Sequence, residues 1–173
     1  MSDLIIATLA QGLLWSLLAI GVFITFRVLD IADLTVEGSF PLGAAISATL
    51  IVDGVNPIVS IVVAAIGGML AGAITGWIHT KLKIPALLAG ILTMIALYSI
   101  NLRVMGKANV SLLRLDTVYT YLEHLSVLHT IALLLIGLVV AVATCILLFW
   151  FFGTEIGACL RATGVNPQMI RAQ

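Results

Sequence analysis

Three carboxylates, Asp30, Asp33 and Glu37, stand at offsets of three and seven within one short polar run of an otherwise apolar chain. On a helix that spacing makes a single stripe. Carboxylates near hydrocarbon are costly, so the stripe suits a proton- or cation-binding element, or the lining of a polar substrate path. A structural reading accounts for the same residues. Thr35 and Ser39 can cap a helix, Asp33 and Glu37 then lie at its positive end, and the whole group can be wet beside Arg27. Other chemistry is missing from the sequence. His79, His124 and His129 are scattered across predicted loops on opposite sides of the membrane, and no ligand spacing such as H-E-x-x-H occurs. Neither a nucleophile motif nor a G-x-x-x-x-G-K-[ST] phosphate loop is present. Cys145 and Cys159 read as small residues of a span and of a loop, not as a disulfide or metal pair. The chain is expected to hold no metal and no cofactor, and to need another chain if ATP drives it.

The elements that position these residues follow from composition. The chain has 173 residues, 62% hydrophobic and only 9% charged, which no soluble domain of this size needs, so its solvent is a bilayer. A formal net charge of zero gives no reason to expect nucleic acid. The first apolar run is too long for a signal-peptide core and follows Asp3, not a basic segment. The expected fold is all-α, a polytopic membrane helix bundle forming a single transmembrane domain over 1–173. By the length rule there are about five spans, at 4–26, 39–52, 58–78, 85–102 and 130–152. The second is short for a crossing unless it begins inside the polar run. D-G-V-N-P at 53–57 reads as a turn, 79–83 as a short basic loop, and 103–129 as a polar segment whose Tyr119 and Tyr121 suit an interface. Gly68, Gly72 and Gly76 make a flat stripe expected to pack against a neighbouring span, and Gly43 and Ser47 can serve the second span in the same way.

Residues 153–173 follow the last span and read as two short helices. Thr154 is the expected N-cap, with Glu155 in the first turn and Arg161 in the last. Gly164 fits the position just past the helix end. Asn166 then caps a second helix opening on Pro167. Ile156, Leu160, Met169 and Ile170 supply the apolar residues. Such a segment either docks on a partner or lies on the membrane surface as an amphipathic connector. With it inside, Arg27, Lys81, Lys83, Arg161 and Arg171 are cytoplasmic and Arg103, Lys107 and Arg114 are outside. That modest bias puts the N-terminus outside.

The run G-A-C-L-R-A-T-G-V-N-P-Q-M-I-R-A at 157–172 resembles the cytoplasmic coupling loop of ABC-importer permeases of the branched-chain amino acid and ribose type. Those loops carry a G-x-x-L-R-A-x-G-x-N-x-x-x-A pattern. The resemblance is closer to the uncharacterised permeases grouped with tryptophan/tyrosine-type uptake systems. I-A-D-L-T-V-E-G-S at 31–39 resembles the stretch that starts the helix beside the central pathway in that family. The resemblance implies a cytoplasmic coupling helix near the C-terminus, seated in a groove of a separate ABC ATPase subunit. Thr154, Glu155, Ile156, Gly157, Leu160, Arg161, Ala162, Gly164, Asn166, Pro167 and Met169 are then the coupling residues. Asp33, Thr35, Glu37 and Ser39 are pathway candidates. The implied partners are the ATPase, an extracytoplasmic substrate-binding protein docking near 103–129, a second permease copy and the lipid bilayer. The implied location is the bacterial cytoplasmic (inner) membrane, and the implied cargo is amino acids. Family permeases continue past the coupling loop, so the chain is expected to be the N-terminal part of a longer permease. Two alternatives stand beside this reading. One is a cation-coupled carrier using Asp30, Asp33 and Glu37. The other is a non-transporting assembly subunit packed through the glycine stripe.

Overall fold

A computed structural model describes residues 2–112, 115, 117, 118 and 129–165, which form helices and connecting turns with no strand among them. In chain order these are α1 (Ser2–Phe23) running into a π-helical turn (Ile24–Val28), α2 (Thr35–Val52), α3 (Pro57–Leu82), α4 (Ala86–Met105), α5 (His129–Phe152) and α6 (Glu155–Val165). The first five elements are each long and apolar enough to cross a membrane. Expectations for Arg114, Asp116, Tyr119, Tyr121 and Glu123, and for the second short helix with Asn166, Pro167, Met169 and Ile170, lie outside the described residues. The chain divides into two units, Met1–Ile31 with Leu122–Gln173, and Ala32–Tyr121.

In the first unit α1 packs along α5. Ala10 is fully buried, and a Cβ on Gly137 would stand 3.2 Å from the Leu13 Cβ and 3.4 Å from the Ala10 carbonyl oxygen. Small residues let two apolar helices approach closely, which is the main attraction left where the solvent is itself hydrocarbon. At its end α1 widens. Leu29 N–H donates to the Ile24 carbonyl at 3.1 Å and Ile31 N–H to the Thr25 carbonyl at 3.0 Å. Asp30 then takes the left-handed conformation (φ 53°), which Asp tolerates better than most side chains. Residues 29–34 are non-helical, so Asp30, Asp33 and Glu37 do not share a helical stripe as their spacing predicts.

The second unit is a three-helix element. Gly54 (φ 83°) closes α2, with Gly54 N–H donating to the Ile51 carbonyl at 3.1 Å and Val55 N–H to the Leu50 carbonyl at 2.9 Å. This paired pattern satisfies the last carbonyls of the helix. Asn56 caps α3 by accepting the Ile58 N–H at 2.9 Å, and Pro57 opens the helix where its missing N–H costs nothing. The segment at 79–83 is mostly helix, not loop. α3 runs to Leu82, Lys83 turns the chain with φ 55°, and the His79 ring nitrogen Nδ1 lies 2.7 Å from the Ile84 carbonyl. Arg103 likewise belongs to the last turn of α4, which Gly106 closes in the left-handed conformation.

Leu42, Ala71 and Leu97 form the small core of this unit, with Ile46 packed against it. The Ser47 and Ser60 hydroxyls lie 3.3 Å apart across α2 and α3. The glycine stripe is not at this contact. No atom among the described residues lies within 4 Å of a Cβ built on Gly68, Gly72 or Gly76. The packed face of α3 instead carries Gly67, Ala71 and Thr75, one residue earlier and hence about 100° around the helix. Gly72 and Gly76 share an exposed face with Met69.

Candidate functional site

The start of α2 is where the second unit concentrates its polar groups. Sequence reading puts the second span at 39–52, but the helix begins at Thr35, inside the polar run. Neither Thr35 nor Ser39 caps it. Leu34 holds the N-cap position, and Asp33 supplies the acceptor: its Oδ1 takes the Thr35 N–H at 2.8 Å and the Thr35 hydroxyl at 2.5 Å. Ser39 spends its hydroxyl on the Val36 carbonyl at 3.4 Å. The Thr35 and Thr75 hydroxyls lie 2.8 Å apart, and both residues are buried. The Thr75 hydroxyl in turn donates to the Ala71 carbonyl at 3.2 Å.

These contacts also set a depth. Thr75 lies about 10 Å before the end of α3 at 1.5 Å per residue. Gly90 lies about 6 Å inside the start of α4 by the same rise. A Cβ on Gly90 would stand 2.8 Å from Leu34 N and 2.9 Å from Asp33 Oδ1. α2 therefore begins below the ends of its two neighbours, and residues 32–34 are irregular backbone at that depth. Such backbone persists in a membrane only where protein groups satisfy it, and broken helices of this kind line polar paths. Here the Leu34 carbonyl takes the Glu37 N–H at 3.2 Å, and Asp33 satisfies the Thr35 N–H that follows the break. Thr75→Val keeps the shape and removes the buried hydroxyl. It is expected to cost about 0.6–1 kcal/mol, with Thr75→Ser close to wild type, read from thermal unfolding of the purified protein.

Above the cap, the second unit has a half-open groove of about 330 Å³ between α2 and α4. Glu37, Pro41, Met94, Tyr98 and Asn101 are among its lining. Glu37 is exposed, whereas Gly38 beside it is buried so tightly that a Cβ would meet Met94 Cα at 3.0 Å. Asn101 Nδ2 donates to the Gly38 carbonyl at 3.5 Å, and Asn101 Oδ1 is buried with no partner. Of the pathway candidates, Glu37 borders the groove, while Asp33 and Thr35 build the cap below it. Sequence reading misses Asn101, Tyr98, Pro41, Gly90 and Thr75. The available signals were a proline inside a span and a lone amide in an apolar one. Among the described residues no group of three or more His, Cys, Asp or Glu could hold a metal ion.

In the first unit the segment after α5 is a capped helix, as its punctuation predicts. Thr154 Oγ1 accepts the Gly157 N–H at 3.3 Å and donates to the Phe151 carbonyl at 2.6 Å. Glu155 occupies the first turn. Gly157 is buried, and a Cβ there would overlap the Phe151 carbonyl oxygen, so only glycine allows the helix to fold back this sharply on α5. Gly164 departs from its expected role. It does not stop the helix, which continues through it to Val165, and Arg161 accordingly lies before the last turn. Its small size is used sideways, since a Cβ there would overlap the Val28 carbonyl oxygen. The helix is thus seated on the π-helical end of α1. Glu155 and Ala162 lie on the opposite face and are exposed; Arg161 shares the glycine face but is also exposed, Ile156 is 66% exposed, and Leu160 is half-buried. Arg161 borders an aromatic-lined recess of about 420 Å³ with Phe23, Phe149 and Phe152.

The sequence matches, over residues 4–173, the family described as "Branched-chain amino acid transport system / permease component". It is 38% identical over 168 residues to a tyrosine transport system permease protein of Clostridioides difficile (strain R20291), covering 97% of this chain and 54% of that protein. It is 34% identical over 168 residues to an uncharacterised protein of Rickettsia prowazekii (strain Madrid E), covering 97% of this chain and 57% of that one. The chain therefore spans about half the length of the curated relatives it matches. No solved structure matches it significantly. A match reaching from the first span through the helix after the last agrees with the apolar helices themselves: the chain is a multi-pass membrane protein and belongs to the branched-chain amino acid transport system permease-component family.

Proposed function

We propose that this chain is a membrane-spanning permease subunit of an ATP-driven ABC importer that carries amino acids, with aromatic ones such as tyrosine the leading class. It is a transporter component, not an enzyme, and ATP is hydrolysed on a separate ATPase chain. The observation that carries this reading is α6: a capped helix with glycines against α5 and α1, and with charged and apolar residues left exposed. A helix built in that way is fit to receive a push and pass it on. In the proposed cycle the ATPase closes on the exposed side, around Glu155, Ile156, Leu160, Arg161 and Ala162. Asn166, Pro167 and Met169 are further coupling residues that the family resemblance implies. The N-terminus is outside, the α6 side faces the cytoplasm of a bacterial inner membrane, and a second permease copy and an extracytoplasmic binding protein complete the assembly. The substrate path runs beside the start of α2. The name of the C. difficile relative supports the cargo class.

Co-purification tests the reading. The partner ABC ATPase, co-expressed with this chain, is expected to be recovered with wild-type membranes. Recovery should fall by about fivefold or more with Arg161→Glu, as placing like charge at a docking surface does. Equal recovery with correctly inserted protein would remove α6 as the docking element.

A further inference from the structure

We propose that the groove between α2 and α4 is a binding site for an organic ammonium group, the amino end of a transported amino acid. The inference rests on the permease reading for its choice of substrate, but its geometry is independent of that reading.

The groove offers acceptors in excess of donors. Asn101 is only 6% exposed; its Nδ2 is spent on the Gly38 carbonyl, and its Oδ1 is buried and unpartnered. Buried polar atoms are nearly always satisfied, and an orphan one asks for an unseen donor. Glu37 adds an ionisable carboxylate on the same lining. Pro41, one turn further along α2, has no N–H, so the Glu37 main-chain carbonyl loses its usual helical donor. No basic residue lines the groove. A carboxylate or phosphate finds no cationic donor here, only the Tyr98 hydroxyl, and meets the Glu37 carboxylate. An ammonium brings three donors and a positive charge. None of the described lining residues is Lys or Arg, so the lining itself supplies no such group.

The rest of the lining argues for an organic cation over a bare metal ion. Met94, Ile95 and Tyr98 are apolar or aromatic, and an aromatic ring and a thioether suit a hydrocarbon or phenol body attached to the ammonium. The volume, about 330 Å³, falls at the small end of ordinary ligand pockets. At the nearby helix start the amino acid's own carboxylate would meet the carboxylate of Asp33, which already holds the Thr35 N–H. The substrate therefore enters this groove amine first.

The test uses the assembled transporter in lipid nanodiscs without its binding protein, with radiolabelled tyramine as probe. Tyramine keeps the ammonium and phenol of tyrosine and lacks the carboxylate. Saturable tyramine binding is expected, displaced by tyrosine and not by 3-(4-hydroxyphenyl)propionate, which lacks only the amine. Glu37→Gln and Asn101→Leu should each weaken tyramine binding about tenfold or more, the scale of one charge-assisted hydrogen bond. Displacement by the propionate as strong as by tyrosine would overturn the proposal, and this arm needs no variant to fold. So would unchanged binding in Glu37→Gln, or displacement by sodium with no binding of the amine. ATP-driven tyrosine uptake by the same preparations separates the two ideas. Normal uptake with Glu37-independent amine binding rejects the groove and keeps the importer. Glu37-dependent amine binding without any ATP-driven uptake keeps the groove and rejects the importer.

Discussion

Gly164→Leu is expected to abolish ATP-driven uptake while leaving the protein in the membrane. A Cβ at this position overlaps the Val28 carbonyl oxygen and comes within 3.2 Å of Leu29 carbonyl carbon. Both are backbone atoms at the π-helical end of α1, so no flexible side chain can swing aside. α6 has to lift away. Its other anchors survive, because Thr154 caps the helix from the α5 side and the fold-back at Gly157 is untouched. The variant should insert and accumulate normally, yet lose the contact through which a push on α6 reaches α1. Gly164→Ala is the milder form and should reduce uptake by about tenfold, the equivalent of about 1.4 kcal/mol of lost coupling. Gly21→Ala is the control: nothing lies within 4 Å of its Cβ, and uptake should be unchanged. Uptake by Gly164→Leu at wild-type rate would remove the α6–α1 contact from the transport cycle. ATP hydrolysis measured beside uptake distinguishes an uncoupled transporter from an unassembled one.

The same residue shows where sequence reading stops. A glycine near the end of an amphipathic run has two physical explanations: it can end the helix, or it can admit a neighbour. Both leave the same letter, and only the position of Val28 decides between them. The glycine stripe fails for a related reason. Positions 68, 72 and 76 differ by one residue from 67, 71 and 75, and all six are small or nearly so. Which of the two rows meets α2 depends on helix rotation, and hydropathy does not encode rotation when every face is apolar. Spans, in contrast, are legible because a bilayer demands about twenty apolar residues in a row. The turn at 53–57 is legible because Asn56 and Pro57 act locally. The start of α2 is legible only in part. Its polar letters conceal a helix, since Asp33 can cap Thr35 only after Gly90 lets the backbone come close. Asn101 gives almost no signal, because an amide in an apolar span becomes meaningful only when the structure reveals what faces it.

Gly90→Val is expected to be the most destabilising single change in the second unit. The Cβ alone would stand 2.8 Å from Leu34 N and 2.9 Å from Asp33 Oδ1, closer than real Cβ contacts come. Two further methyls have no room between α4 and the incoming chain. Overpacking of this kind costs about 1–3 kcal/mol. A second loss follows from the first: if Asp33 is pushed aside, Thr35 N–H and its hydroxyl lose their acceptor, and a missing cap is worth about 0.5–2 kcal/mol. The two are coupled through one residue, so the combined cost falls short of their sum. Asp33 variants separate the contributions. Asp33→Asn keeps an acceptor oxygen and should unfold near the wild-type temperature, because asparagine caps about as well as aspartate. Asp33→Ala should lose the cap alone and fall between Asp33→Asn and Gly90→Val. If Asp33→Asn were as damaging as Asp33→Ala, the negative charge would matter and not the hydrogen bonds, and a cation near the break in the helix would become the better account of Asp33. If Gly90→Val unfolded like wild type, α2 would not begin where Gly90 admits it, and the depth assigned to its start would go with it.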